Sequence, residues 1–332
     1  MIELSRRELL AGTAATTAAL SIGLMPSELH AAAPVVGKQA PGFYRYKVGE
    51  IEVTVVTDGV ARGKLMQNFV TNVKEEEVKD ALAAAHKDRE IFDNTFTPVV
   101  LNTGGKLILI DTGTGEANFA ASKGTAGQFT NNLTAAGLSP AAIDTVIISH
   151  YHGDHMNGLL KADNSLAFPN AEILVPAKEH NYWMDDGEMS RAPKGRIEGL
   201  FKNSRRVFSG DVLKRLRTYE WDKEVVPGVT AFGTPGHSPG HTSLLVSSGA
   251  SKVYVQGDVT HVPYLFARNP GWHAFYDQDA AMAEATRRKV YDMLVADKMM
   301  VQGFHYPFPA HAYIEKAGNG YREVMVPWNA AI

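Results

Sequence analysis

An apolar strand that runs straight into a cluster of histidines constrains this chain more than any other feature. In TVIISHYHGDH, Val146, Ile147 and Ile148 read as a buried strand, and His150, His152, Asp154 and His155 follow directly on its end. In an extended segment residues two apart point the same way, so His150 and His152 can face one ion together. Gly153 then lets the backbone turn and carries Asp154 and His155 towards a second position. Three imidazoles crowded on a turn repel one another when protonated and lose hydration for nothing when neutral, so a polar loop without a cation accounts poorly for the pattern.

Three other strand ends supply matching side chains. His237 lies in TPGHSPGH, Asp258 in VQGDV and His305 in QGFHYPFP, each beside Gly or Pro, as a ligand presented by a loop should be. The chain has no cysteine, which excludes disulfides, thiolate ligands and a cysteine nucleophile together, so any metal is held by nitrogen and oxygen. Imidazole and carboxylate suit zinc, with iron, manganese and cobalt as alternatives. Two such ions about 3.5–4 Å apart can share a carboxylate and a hydroxide. Asp258, a short side chain after the strand KVYVQ and a glycine, is the natural bridge. The lone His30, His86, His180 and His273 read instead as structural or solvated.

Lys and Arg number 33 against 36 Asp and Glu, so a formal net charge of -3 gives no global attraction to nucleic acid or to an anionic membrane. The ligand class left is small molecules. Residues 1–33 read as an address rather than as fold. SRRELL carries the paired Arg6 and Arg7, AGTAATTAALSIGLM is mildly apolar, and LHAAAP ends in small residues suited to cleavage. The stretch is too short and too rich in Thr and Gly to span a membrane. It resembles a twin-arginine export signal, which predicts a periplasmic or exported protein without stable membrane insertion. Residues 34–332 then make one domain.

Along that domain short elements alternate. IEVTVVTDG reads as a strand and turn, and TPVVLNTGGKLILIDTG as a hairpin turning at Gly104 and Gly105. TNVKEEEVKDALAAAH reads as a helix whose Asn72 and Glu75 have capping-box spacing. AKEHNYWMDDGE predicts one helix, Gly187 to Tyr219 a basic irregular insertion without a core strand, and Asp279 to Asp297 a long helix. Strands resume with GVTAFGT, TSLLVSS and KVYVQGD. Two strand-rich segments that both carry helices predict an α/β sandwich of two mixed sheets with helices outside.

The ordered set His150, His152, Asp154, His155, His237, Asp258 and His305 resembles the full ligand set of the metallo-β-lactamase superfamily. APGFYRYKVGEIEVTVVTDG, VVLNTGGKLILIDTG and GHSPGHTSLLV are similar to the branch that contains methyl parathion hydrolase and the quorum-quenching lactonases. The resemblance implies a four-layer αββα sandwich with a dinuclear site at one edge. In it His150, His152 and His237 hold one divalent ion, Asp154, His155 and His305 the other, and Asp258 bridges. It further implies two ions, zinc first, and a homodimer. The implied activity is hydrolysis of small hydrophobic lactones such as acyl-homoserine lactones, of aryl esters, and of organophosphate triesters such as methyl parathion. A hydroxide between the ions attacks, with Asp258 and Asp154 as the catalytic carboxylates.

The absent cysteine and the present Asp258 depart from the β-lactamases proper. A complete second set departs from the persulfide dioxygenases, whose iron-dependent oxidoreductase chemistry on the same fold is the alternative. Asp58 and Asp111, at strand ends before Gly or Thr-Gly, either orient ligand histidines through the second ring nitrogen or simply form turns. Phe119, Trp183 and Phe201 fall in stretches similar to the family's apolar pocket wall, with core packing as the other reading. His241 and Thr242 are expected to support the His237 loop.

Overall fold

Period-two alternation along the strands decides which side chains meet between the sheets and which meet the helices. A computed structural model describes Gly37 and Gln39–Ile332, and Ala40–Ile332 form one compact unit. The leader expected over residues 1–33 lies outside the described residues. Among those described, no helix is long and apolar enough to cross a membrane.

Strands β1 (Phe43–Val48) and β2 (Ile51–Val56) pair antiparallel, while β3 (Gly59–Lys64) and β4 (Ile91–Phe96) form a separate hairpin with helix α1 (Glu75–Ala84) between them in the chain. Strands β5 (Val99–Thr103) and β6 (Lys106–Ile110) turn at Gly104 and Gly105. Their φ values of 57° and 76° are the left-handed pair a two-residue hairpin needs. Helices α2 (Ala117–Ala121) and α3 (Phe129–Ala135) lead to β7 (Thr145–Ile147), which lies parallel to β6. Helix α4 (Gly153–Met156) leads to β8 (Glu172–Pro176), parallel to β7. Helices α5 (Ala177–Met184), α6 (Asp186–Arg191), α7 (Arg196–Val207) and α8 (Gly210–Lys214) lead to β9 (Leu216–Tyr219), parallel to β8.

The second sheet runs in chain order: β10 (Glu224–Val226), β11 (Val229–Gly233), β12 (Thr242–Ser248), β13 (Ser251–Val255), β14 (Met300–Gln302), β15 (His311–Ala317) and β16 (Gly320–Met325). Its pairs are antiparallel except β13 with β14, which α9 (Pro263–Phe266) and α10 (Ala280–Ala296) separate in sequence. The first sheet has the order β1-β2-β5-β6-β7-β8-β9.

Val53, Val55, Ile108 and Ile110 of the first sheet meet Val229, Ala231, Leu244 and Val246 of the second in one core. The alternate residues Val56, Leu109, Val146 and Val175 pack outward on Leu133, Trp183, Phe201 and Val207 of the helices. On the far side Tyr254, Val301 and Ile314 pack on Val290, Tyr291 and Leu294 of α10. This is the four-layer αββα order. Each such side chain taken out of water stabilises the fold by about 1.5–3 kcal/mol.

Three local expectations need correcting. Gly187 to Tyr219 is not an irregular insertion: it holds α7 and α8, and β9 is a member of the first sheet. Its basic residues hid the pattern because only one face of α7 is buried, through Phe201, Ser204 and Val207. The helix expected over AKEHNYWMDDGE breaks at Asp185, whose carboxylate accepts the Glu188 N–H at 2.7 Å and so caps a new helix. Helix α1 starts after Lys74, whose N–H donates to Glu77. Asn72 instead bridges to a distant loop, donating to Gly271 O and accepting from His273 N–H.

Candidate metal centre

Strands β6, β7, β13 and β14 each hand a polar residue to the same edge of the sandwich. After β7, Ser149 donates its N–H and its hydroxyl to the two oxygens of Asp111, both at 2.8 Å, and this fixes the start of the histidine loop. His152 is still extended and Gly153 begins α4, which brings Asp154 and His155 together with His305 while the His155 ring stays 4.0 Å from that of His150. Gly257 turns the chain after β13 with φ 57°, and a Cβ there would sit 2.8 Å from His241 Nε2. Gly236 lets the His237 loop approach α10, since its Cβ would fall 2.3 Å from Ala283 N.

These turns bring the histidines and aspartates together. His150, His152, His237 and Asp258 form one group and Asp154, His155 and His305 a second, each with ligand atoms within 4.8 Å of one another. Asp258 stands between them. Its Oδ2 lies 3.2 Å from His237 Nε2 and 3.1 Å from His305 Nε2, and its Oδ1 lies 3.2 Å from His155 Nε2. Asp154 Oδ2 is 3.4 Å from His305 Nε2, and His152 Nδ1 is 2.7 Å from His237 Nε2.

The outer ring nitrogens are held by acceptors, which sets the tautomers. His155 Nδ1 lies 2.8 Å from Asp111 Oδ2, His237 Nδ1 2.9 Å from Asp277 Oδ1, and His305 Nδ1 2.7 Å from Thr95 O. A proton on each Nδ1 leaves Nε2 as a lone pair facing inward. Asp277→Asn removes the charge behind His237, and metal affinity is expected to fall about tenfold or more in chelator competition. Unchanged affinity would show that Asp277 does not tune the ligand.

Without a cation, burial and charge divide the rings into two pairs. Burial and the neighbouring imidazoles hold His150 and His152 well below the usual histidine range. Burial acts the same way on His155 and His237, but Asp258 and the carboxylates behind each ring override it, lifting His155 well up and His237 to about 9. Burial would raise Asp258, yet His305, His155 and His237 hold it far below the carboxylate range. The site therefore draws positive charge. His150 Nε2, His155 Nε2 and Asp258 Oδ1 are buried with no hydrogen-bond partner, a cost that divalent cations between them remove. The donors fit two ions held by nitrogen and oxygen.

Other expected residues fall differently. Asp111 orients His155, as one of its two readings has it. Asp58 touches no ligand histidine: it accepts from Thr114 N–H, Thr114 Oγ1 and Phe129 N–H, and so ties the loops after β6 and before α3. His241 supports the His237 loop, closing its base with Nδ1 3.0 Å from Thr234 O and with its carbonyl accepting the Thr234 N–H at 2.9 Å, and it also supports Asp258, whose N–H its Nε2 accepts at 2.9 Å. Thr242 Oγ1 donates to Gly240 O and accepts from Trp221 Nε1. Trp183 and Phe201 are fully buried in the core under the helices, so they pack there rather than wall an open pocket. Phe119 is 41% exposed on α2. A cleft of about 460 Å³ is lined by Lys178, Tyr182, Trp221, Gly236, Ser238 and Met282, and none of the ligand side chains lines it.

Sequence reasoning missed three polar residues here. Asp277 stands before α10 with no motif around it. Glu179 is buried and accepts from Tyr151 N–H, Trp183 Nε1 and Gly240 N–H, which joins the histidine loop to the His237 loop. His261 packs against His237 and His305, and only its place three residues after Asp258 could have pointed to it.

Comparison with known proteins agrees with the geometry. Residues 97–295 match the sequence family described as the metallo-beta-lactamase superfamily, which is more than half of the chain. The chain belongs to the metallo-beta-lactamase superfamily. Relatives within it include an N-acyl homoserine lactonase of a Bacillus sp, 27% identical over 52% of this chain and 60% of its own length. Another, from Bacillus cereus, is 28% identical over 64% of this chain and 86% of its own. The chain thus spans between three fifths and nearly nine tenths of these two relatives. Among solved superfamily structures, AidC, described as a dizinc quorum-quenching lactonase in complex with a product, aligns over 87% of this chain and 98% of its own, with TM-score 0.78 and 26% identity. The hydrolase AbOPH aligns over 88% of this chain and all of its own, with TM-score 0.80 and 25% identity.

Proposed function

We propose that this protein is a dinuclear metal-dependent hydrolase that opens lactones, N-acyl homoserine lactones foremost, with aryl esters and phosphotriesters as further substrates. The observation that carries the reading is Asp258, set between two complete groups of ligand side chains. The names of the Bacillus relatives and of AidC support the lactone over other esters. Zinc is the proposed metal, in keeping with the dizinc description of AidC.

His150, His152 and His237 would hold one ion, Asp154, His155 and His305 the other, and Asp258 both. When bound, the pair supplies Lewis-acid polarisation of the substrate oxygen and an attacking water that is acidic near neutral pH. The chain's own work is orientation and proton handling. Asp111, Asp277 and the Thr95 carbonyl keep Nδ1 of His155, His237 and His305 protonated, so the three rings cannot turn away. Water oxygen joins the carbonyl carbon, the ring C–O bond breaks, and one water proton must reach the departing alkoxide. We assign that transfer to Asp258, whose carboxylate stands between the two groups.

A panel of acyl-homoserine lactones, aryl esters and phosphotriesters, assayed with defined zinc content, tests the reading. Lactone opening dependent on two ions per chain is expected. One iron per chain with no hydrolysis would give the site to the iron-dependent alternative, against which the full second group Asp154, His155 and His305 argues. Export through residues 1–33 and assembly as a homodimer belong to the same proposal. Cell fractionation of an Arg6→Lys, Arg7→Lys variant and sedimentation test them, and unchanged export or a monomer would refute each in turn.

A further inference from the structure

One buried histidine of the cluster has no part in the ligand set. His261 is 2% exposed, and its Nε2 lies 3.3 Å from Asp258 Oδ2, the oxygen that also faces His237 and His305. Its ring centroid stands 4.8 Å from that of His237 and 5.3 Å from that of His305. The assigned ligand pairs have the same spacing: 4.5 Å for His152 and His237, 4.8 Å for His150 and His237, and 5.8 Å for His155 and His305. His241, which is not in the ligand set, also stands 4.9 Å from His150, so what sets His261 apart is the approach of its Nε2 to Asp258. Ligand atoms of Asp258, His261 and His305 also fall within 4.8 Å of one another, and all three residues are buried.

The tautomer is free to suit this role. His261 Nδ1 has no hydrogen-bond partner, and the acceptor beside Nε2 is Asp258 itself, whereas His155, His237 and His305 are each pinned by an acceptor at Nδ1. The ring is held in place by packing instead: Tyr276 lies 4.3 Å away and Phe266 5.8 Å, on the aromatic cluster around α9. A hydrogen bond from His261 to Asp258 would also explain the 3.3 Å approach, but it would leave a buried Nδ1 lone pair unsatisfied. Coordination through Nε2 moves the proton to Nδ1 and leaves one weak donor beside the Tyr276 ring.

We propose that His261 is an additional protein ligand, through Nε2, of the ion held by Asp154, His155 and His305. This rests on the reading that the cluster holds two ions. Carried by the loop before α9, His261 would tighten the binding of the second ion.

Cobalt(II) titration of metal-free protein tests it, comparing wild type with His261→Phe by stoichiometry, chelator competition and visible spectrum. Two cobalt ions per chain are expected in both, with the second bound about a hundredfold more weakly in the variant and its bands shifted as one nitrogen leaves. An unchanged affinity and spectrum overturn the proposal. A weaker second ion with an unchanged spectrum also overturns it, because His261 then acts only on Asp258. Fewer than two cobalt ions in wild type sink the dinuclear reading itself. X-ray absorption of the wild-type zinc protein needs no folded variant: six imidazoles per ion pair support the assignment, and five overturn it.

Discussion

Asp258→Ala is expected to lower kcat/KM for lactone opening by about a thousandfold, equivalent to about 4 kcal/mol of transition-state stabilisation. Its carboxylate faces His155, His237 and His305 at once and so stands between the two groups. Without it the two ions lose their shared anion and repel across the gap, and the weaker one leaves. The backbone at this position is fixed independently, by the Asp258 N–H to His241 and by Gly257, so the substitution acts on chemistry more than on the fold. Asp258→Asn separates charge from shape. It keeps the side-chain size and one acceptor oxygen, and a comparable loss with reduced metal content assigns the effect to charge. Kinetics at saturating zinc with metal analysis of each variant makes the check, and two ions with an undiminished rate in Asp258→Asn would end the bridging role.

How much of this was legible in the sequence follows from the range of each signal. The histidine loop was readable because its cause is local: a strand, a two-residue period and a glycine act within a few residues of one another. His237, Asp258 and His305 were readable as strand ends beside glycine or proline, although their meeting depends on β13 and β14 lying parallel. The long helix was readable to its ends, since Asp279 caps it by accepting the Met282 N–H. Asp277 and Glu179 were not, because each acts on a loop far away in sequence, and a buried carboxylate with distant donors has no local pattern. Asp58 shows the converse. Its position before a glycine resembled that of Asp111, but only the crossing of three loops decides that one carboxylate meets a histidine and the other meets backbone N–H groups. Trp183 and Phe201 were ambiguous for the same reason: an aromatic side chain suits a core and a pocket equally until the helix that covers it is placed.

Removing the ions is expected to lower the thermal midpoint by about 10 °C and to leave the sandwich folded. Ions that bind the native state alone stabilise it by about 4 kcal/mol at a thousandfold excess over Kd, and a domain of this size shifts by about 2–4 °C for each kcal/mol. The ions' share is large here because the loops they would join come from both sheets. His150 to His155 follow the first sheet, while His237, Asp258 and His305 follow strands of the second. Without cations, partnerless ring nitrogens and a carboxylate oxygen are left buried and facing one another, with His150 and His152 held neutral by burial. The cores between the sheets and under the helices contain none of these groups, so they persist. Calorimetry before and after chelation, then after zinc is returned, measures the shift, and hydrogen exchange locates it. Protection should fall in the loops after β7, β11, β13 and β14 and return with zinc. A midpoint that ignores chelation would mean that Glu179, Asp111 and His241 hold those loops without help, and that the ions serve reactivity alone.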